Sequence, residues 1–134
     1  MARTWVLCVA FAPWWTASAS NSTTVVLVVA GTLHSSYLTD DGTAYSMGSN
    51  EFGQLGDGTT ASRSQPVQVM KQIIGMAAGW CHTVFLKFDG TVYATGRNDY
   101  GQLGDGTTTD RHSPVEVLAG VQSVAAGAFH TIFL

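Results

Sequence analysis

Gly53-Gln54-Leu55-Gly56-Asp57-Gly58-Thr59-Thr60 occurs a second time, unchanged, as Gly101 to Thr108, 48 residues further on. A fixed period of this size marks a solenoid, a propeller or another array, and it has to be read before any residue-level chemistry. Outward from the octapeptide, laying residues 31–78 on 79–126 without a gap gives 23 identical positions of 48. A third copy begins at Gly127 and runs to Leu134, so Gly31, Gly79 and Gly127 correspond, as do His34, His82 and His130.

The β-branched, apolar run Val25 to Ala30 is matched by Ile73 to Ala78 and Val121 to Ala126 and reads as a buried strand. The glycine after each run breaks the strand and permits positive φ or close backbone approach. His34 to Leu38 and His82 to Leu86 carry hydroxyl, β-branched and aromatic residues that favour a pleated strand. Asp41-Gly42 and Asp89-Gly90 then predict a hairpin with a type I′ turn, which needs φ > 0 at both central residues. Thr43 to Gly48 and Thr91 to Gly96 return. Asn50 to Thr60, with Gly53, Gly56 and Gly58, is too glycine-rich for regular structure and reads as a shaped loop; Gly101, Gly104 and Gly106 repeat it. Pro66 and Pro114 open a last short strand, Val67-Gln68-Val69 or Val115-Glu116-Val117, at a sheet edge where the missing N–H does no harm. Four short strands in meander order make one propeller blade. The expected blades are 25–72 and 73–120, with 121–134 giving the first two strands of a third.

With 46% apolar and 11% charged residues, disorder is excluded, and a net charge of −3 without a basic stripe removes the main term of nucleic-acid binding. Residues 1–20 follow another rule. Arg3, the uncharged run Trp5 to Trp15 and Ala17-Ser18-Ala19 read either as a secretory signal peptide or as an irregular leader. The run is shorter than the roughly 20 residues a membrane-spanning helix needs. Secretion or lumenal residence is the expectation, cytoplasmic or nuclear the alternative, and in a eukaryotic secretory route Asn21-Ser22-Thr23 would be a glycosylation acceptor.

In combination, the Gly-x-x-His strand, the Asp-Gly-Thr hairpin, Gly-x-Asn with Gly-Gln-Leu-Gly, and Pro-Val-x-Val resemble the repeat of the regulator of chromosome condensation family over about residues 25–134. The resemblance implies an all-β, seven-bladed propeller in its full-length members. It also implies a binding platform whose uses include nucleotide exchange on a small GTPase, chromatin docking, ubiquitin-ligase regulation and β-lactamase inhibition. Here two blades and part of a third make an incomplete, open propeller. It is a fragment of a longer product, a degenerate paralogue, or a chain that closes the ring as a homo-oligomer.

The chemistry available is thin, and the chain reads as a non-enzymatic protein-binding module with no cofactor. One histidine per blade, at equivalent and separate places, cannot gather three ligands around zinc, so His34, His82 and His130 read as structural groups hydrogen-bonded within their own blades. Asp57-Gly58-Thr59 has neither the ligand pattern of a calcium loop nor the lysine of a phosphate loop. Cys81, between apolar period-mates Leu33 and Phe129, reads as a small buried hydrophobe, and His112, without a period-mate, as a solvent-facing loop residue. Recognition is expected from side chains in or beside the irregular segments: Phe52, Arg63, Arg97, Asn98, Asp99, Tyr100 and Arg111.

Overall fold

The computed structural model describes residues 23–134, so the leader and Asn21 lie outside the described residues. Ten strands run in order: β1 Val25–Ala30, β2 His34–Thr39, β3 Ala44–Gly48, β4 Arg63–Met70, β5 Ile73–Ala78, β6 His82–Lys87, β7 Val92–Gly96, β8 Arg111–Leu118, β9 Val124–Ala126 and β10 Thr131–Phe133. β1–β4 and β5–β8 form two four-stranded antiparallel meanders, and β9–β10 a two-stranded sheet. The two large sheets repeat the same register, Tyr37 opposite Tyr45 and Phe85 opposite Tyr93. The architecture is an open propeller of antiparallel blades.

Two local expectations are corrected. The hairpins are three-residue loops, not two-residue type I′ turns. The amide of Gly42 donates to the Thr39 carbonyl (2.9 Å) and that of Thr39 to the Thr43 carbonyl (3.0 Å), and only the glycine takes positive φ, +78°. This is a type I turn closed by a left-handed glycine, and Phe88-Asp89-Gly90 repeats it. The fourth strands also start three residues before their prolines, at Arg63 and Arg111. The ladder slips between Ser46 and Gly48, so Pro66 falls in the bulge, where no ladder donor is required.

Neighbouring blades pack face to face. One cluster joins Leu38 and Ala44 of the first sheet to Ile73, Met76 and Phe85 of the second, and another joins Val84, Leu86, Val92 and Leu103 to Val121 and Phe133 of the third unit. β6 is therefore buried on both sides, with Phe85 in one cluster and Val84 and Leu86 in the other. The backbone stitches the same joints: the Ile73 amide donates to the Gly42 carbonyl and the Val121 amide to the Gly90 carbonyl, both 3.0 Å. β1 does not meet the expectation of a buried strand. Val25 is 49% exposed, whereas its period-mates Ile73 and Val121 are 2% and 6% exposed, because among the described residues no blade precedes it.

Candidate functional site

Each shaped loop is built around one asparagine. The buried Asn50 side chain donates to Asp57 Oδ1 (3.0 Å) and to the carbonyls of Thr59 (2.9 Å) and Ala61 (3.1 Å), while its oxygen accepts from the Leu55 amide (3.0 Å). Asp57 also accepts from Thr59 and, through Oδ2, from Arg63 Nε (2.7 Å). Burial pushes the Asp57 carboxyl up, but the bonds from Thr59, Arg63 and Asn50 outweigh it and hold the pKa below the usual range. Asn98, Asp105 and Arg111 repeat the network, and Asp105 is drawn down to about 2 by the same balance. All six loop glycines take φ between +72° and +80°, so turn geometry accounts for them.

The first loop is also clamped by the second blade. Thr83 Oγ1 donates to the Gln54 carbonyl (2.8 Å), the Gly58 amide to the His112 carbonyl (2.9 Å), and the Thr95 hydroxyl lies 2.8 Å from the Gly53 carbonyl. His112 is exposed as expected, but it lies in β8 with its backbone against Gly53, where an added Cβ would come within 2.4 Å of the His112 Cα.

The histidines bond between blades, not within them. His34 Nε2 lies 2.9 Å from Thr83 Oγ1 and His82 Nε2 3.2 Å from Thr131 Oγ1. Each threonine hydroxyl already donates to a loop carbonyl, Gln54 or Gln102, so the imidazole must be the donor, protonated at Nε2 and bare at Nδ1. Burial lowers both pKa values to about 4. Burial is the main cause, and at His82 the neighbouring His34 and His130 add to the fall. The ring explains Gly31, Gly79 and Gly127. None takes positive φ; an added Cβ would stand about 2.2 Å from the following histidine's Cε1.

Above the loops the side chains form a continuous rim. The Arg97 guanidinium lies over the rings of Phe52 (5.1 Å) and Tyr100 (5.8 Å) and pairs with Asp99 through two bonds of 2.7 and 2.6 Å. Phe129 meets Tyr100 edge-on at 5.3 Å and Trp80 at 4.8 Å. Cys81 is half-buried here, not buried. Burial raises its pKa, Arg97 opposes that, and Glu51 and Asp99 add to it.

Of the residues expected to recognise a partner, the structure brings Phe52, Arg97, Asp99 and Tyr100 together. Asn98 is fully buried, with its amide engaged inside the loop. Arg63 and Arg111 are part-exposed and paired to the loop aspartates. Trp80 and Phe129 were not anticipated. Their period-mates are small or aliphatic, Thr32 and Ala128, Leu33 and Cys81, and that departure from the repeat was the only available signal.

Repeated four-stranded blades, interlocked by their third-to-fourth strand loops, define a β-propeller repeat protein. The family model described as "Regulator of chromosome condensation (RCC1) repeat" matches residues 41–86 and 89–134, and a second model of the same description matches 25–54 and 73–102. The chain belongs to this repeat family. No curated protein sequence matches it. Among solved structures it is similar to human WBSCR16 at 27% identity (TM-score 0.77), with 87% of this chain and 32% of that one covered. It is similar in fold to Prp20p from Saccharomyces cerevisiae, a structure described with its binding to Gsp1p and histones, at 19% identity (TM-score 0.76; 87% and 32%). Yeast RCC1 (Prp20) in complex with Kap60 matches at 27% identity (TM-score 0.73; 82% and 30%). The chain thus spans about a third of these proteins.

Proposed function

We propose that the chain is a non-enzymatic, protein-binding repeat module that recognises its partner through the rim formed by Phe52, Arg97, Asp99 and Tyr100. The observation that carries this reading is the assembly of exposed Tyr100 and Asp99 with part-exposed Phe52 and Arg97, from two neighbouring blades, on irregular segments held by buried asparagines. Rigid loops rich in Tyr and Arg are the usual makings of an interface. The positions that differ between copies, Ser49/Arg97, Ala61/Thr109, Ser62/Asp110 and Ser64/His112, give each blade its own surface. Likeness to propellers described with protein partners, Gsp1p, histones and Kap60, supports the class of function. Immobilised protein should retain a partner that Tyr100→Ala and Arg97→Ala lose, with circular dichroism unchanged; equal recovery by the variants would remove these residues from the interface.

A second reading follows from membership of the repeat family: a regulatory propeller piece of a small-GTPase nucleotide exchange factor. It requires faster nucleotide release when the chain is added, and an unchanged rate would eliminate it. The signal-peptide reading of residues 1–20 and closure by self-association are tested by amino-terminal sequencing and by molar mass in solution.

A further inference from the structure

We infer that copies of this chain associate head to tail, the front face of β1–β2 in one copy packing on the back face of β9–β10 in another. This rests on the self-association reading and deepens it by naming the two surfaces and their polarity. The internal joints supply the rule. In each, the back of one blade meets the front of the next: Leu38 against Ile73, Met76 and Phe85, then Val84 and Leu86 against Val121, Val124 and Phe133. The chain makes this contact twice and leaves one further copy of each half uncovered among the described residues.

The free front half is Val25, Val28 and Tyr37, period-mates of Ile73, Met76 and Phe85. Val28 is 65% exposed where Met76 is 6%, and Tyr37, stacked on Tyr45 at 5.1 Å, is half-buried where Phe85 is fully buried. The free back half is Ile132 and Leu134. Leu134 is 80% exposed, against 4% and 3% for its period-mates Leu38 and Leu86, and Ile132 is exposed where Val84 is fully buried. Side chains two apart on a strand share a face, so Ile132 lies on the side of β10 that Val84 and Leu86 occupy on β6.

A polar register accompanies the apolar one and selects a second copy over an unrelated apolar ligand. At both internal joints a back-face histidine meets a front-face hydroxyl, His34 with Thr83 and His82 with Thr131. His130 is the third, exposed histidine of the series, and on the free front face Ser35 holds the place of Thr83 and Thr131. Docking in the register of the internal joints therefore sets His130 of one copy against Ser35 of the other. A front-to-front dimer would bring together two faces that no internal joint pairs and would leave His130 outside. Because the joined surfaces are unlike, the contact is heterologous, and each pair keeps one free front and one free back.

The test is sedimentation velocity on the full chain across a range of concentrations. The average mass should rise above that of one chain, and Val28→Asp and Ile132→Asp should each hold it at one chain, with circular dichroism unchanged because both side chains are exposed. Val28→Ser and Ile132→Ser carry the same expectation where an aspartate disturbs that spectrum. Mixed in equal amounts, the two variants should form a species of two chains and nothing larger, since the intact back of the first meets the intact front of the second. Association that survives either substitution, or variants that fail to pair when mixed, would overturn head-to-tail docking and leave self-association standing. A chain that stays single at every concentration would overturn both.

Discussion

The two copies of the octapeptide are the same in sequence and differ in their surroundings. In both, the asparagine amide makes the same set of bonds, 3.0 Å to the aspartate and 3.0 Å from the leucine amide, and the glycines take φ of +77°, +77° and +80° against +72°, +75° and +75°. Eight residues and one asparagine therefore set the loop's shape locally. Coverage is another matter. An added Cβ at Gly53 would meet His112, at Gly56 it would meet Thr95, Val69 and Pro114, and at Gly58 it would meet Ser113. In the second copy a Cβ at Gly104 would meet Val117 and Phe133, but at Gly101 the nearest atom among the described residues is 3.9 Å away and at Gly106 none lies within 4 Å. Among the described residues the first copy is clamped along its length by the next blade, whereas the second is held only at Gln102, which accepts from Thr131, and at Gly104, beside Phe133.

The largest expected contrast comes from Gly53→Ala against Gly101→Ala. Both lose the freedom to hold left-handed φ, which costs roughly 1–2 kcal/mol. Only Gly53→Ala also drives a methyl into the second blade, adding about 1–3 kcal/mol. Chemical denaturation should show the first variant losing about twice what the second loses. Equal losses would mean that the clamp does not hold the blades together.

Acid should act on the joint before the loops. His34 and His82 have folded pKa values of about 4, below the ordinary 6.5, so the unfolded chain binds more protons between those limits. Their contribution is complete above pH 6.5 and is lost as pH falls to about 4, up to about 3 kcal/mol for each. The lowered carboxyls of Asp57 and Asp105 contribute in a lower window, from their ordinary 3.8 down to about 2 for Asp105. Denaturation midpoints recorded from pH 8 to 4 should fall, and His34→Gln with His82→Gln should flatten that fall; a midpoint constant over this range would contradict buried, neutral rings.

A smaller difference is expected between Thr83→Val and Thr131→Val. Each removes the hydroxyl that joins a histidine to a loop carbonyl, leaving both without a partner. Thr83 is fully buried and should cost about 2 kcal/mol, whereas the part-exposed Thr131 should cost about half as much, since water can replace the lost bonds. Equal costs would say that burial at the two joints is alike.

The 48-residue period and the Asp-Gly and glycine-loop punctuation made the strands, their order and the open propeller legible, because these depend on local backbone chemistry. Coverage was not legible. Val25, Ile73 and Val121 look alike in sequence, yet among the described residues only the last two have a neighbouring blade against them. For the same reason the histidines bond across a joint that no local pattern reveals. Within the rim, Arg97 and Tyr100 stood out as charged and aromatic loop residues, while Asn98 was indistinguishable from them until its amide was seen turned inward.

Amide hydrogen exchange in the intact chain addresses the central contrast most directly. Leu55 and Leu103, bonded to Asn50 and Asn98, should both be protected, since the loop holds itself. Gly58, bonded to the His112 carbonyl of the next blade, should be protected while Gly106 exchanges freely. Like rates at Gly58 and Gly106 would contradict the account.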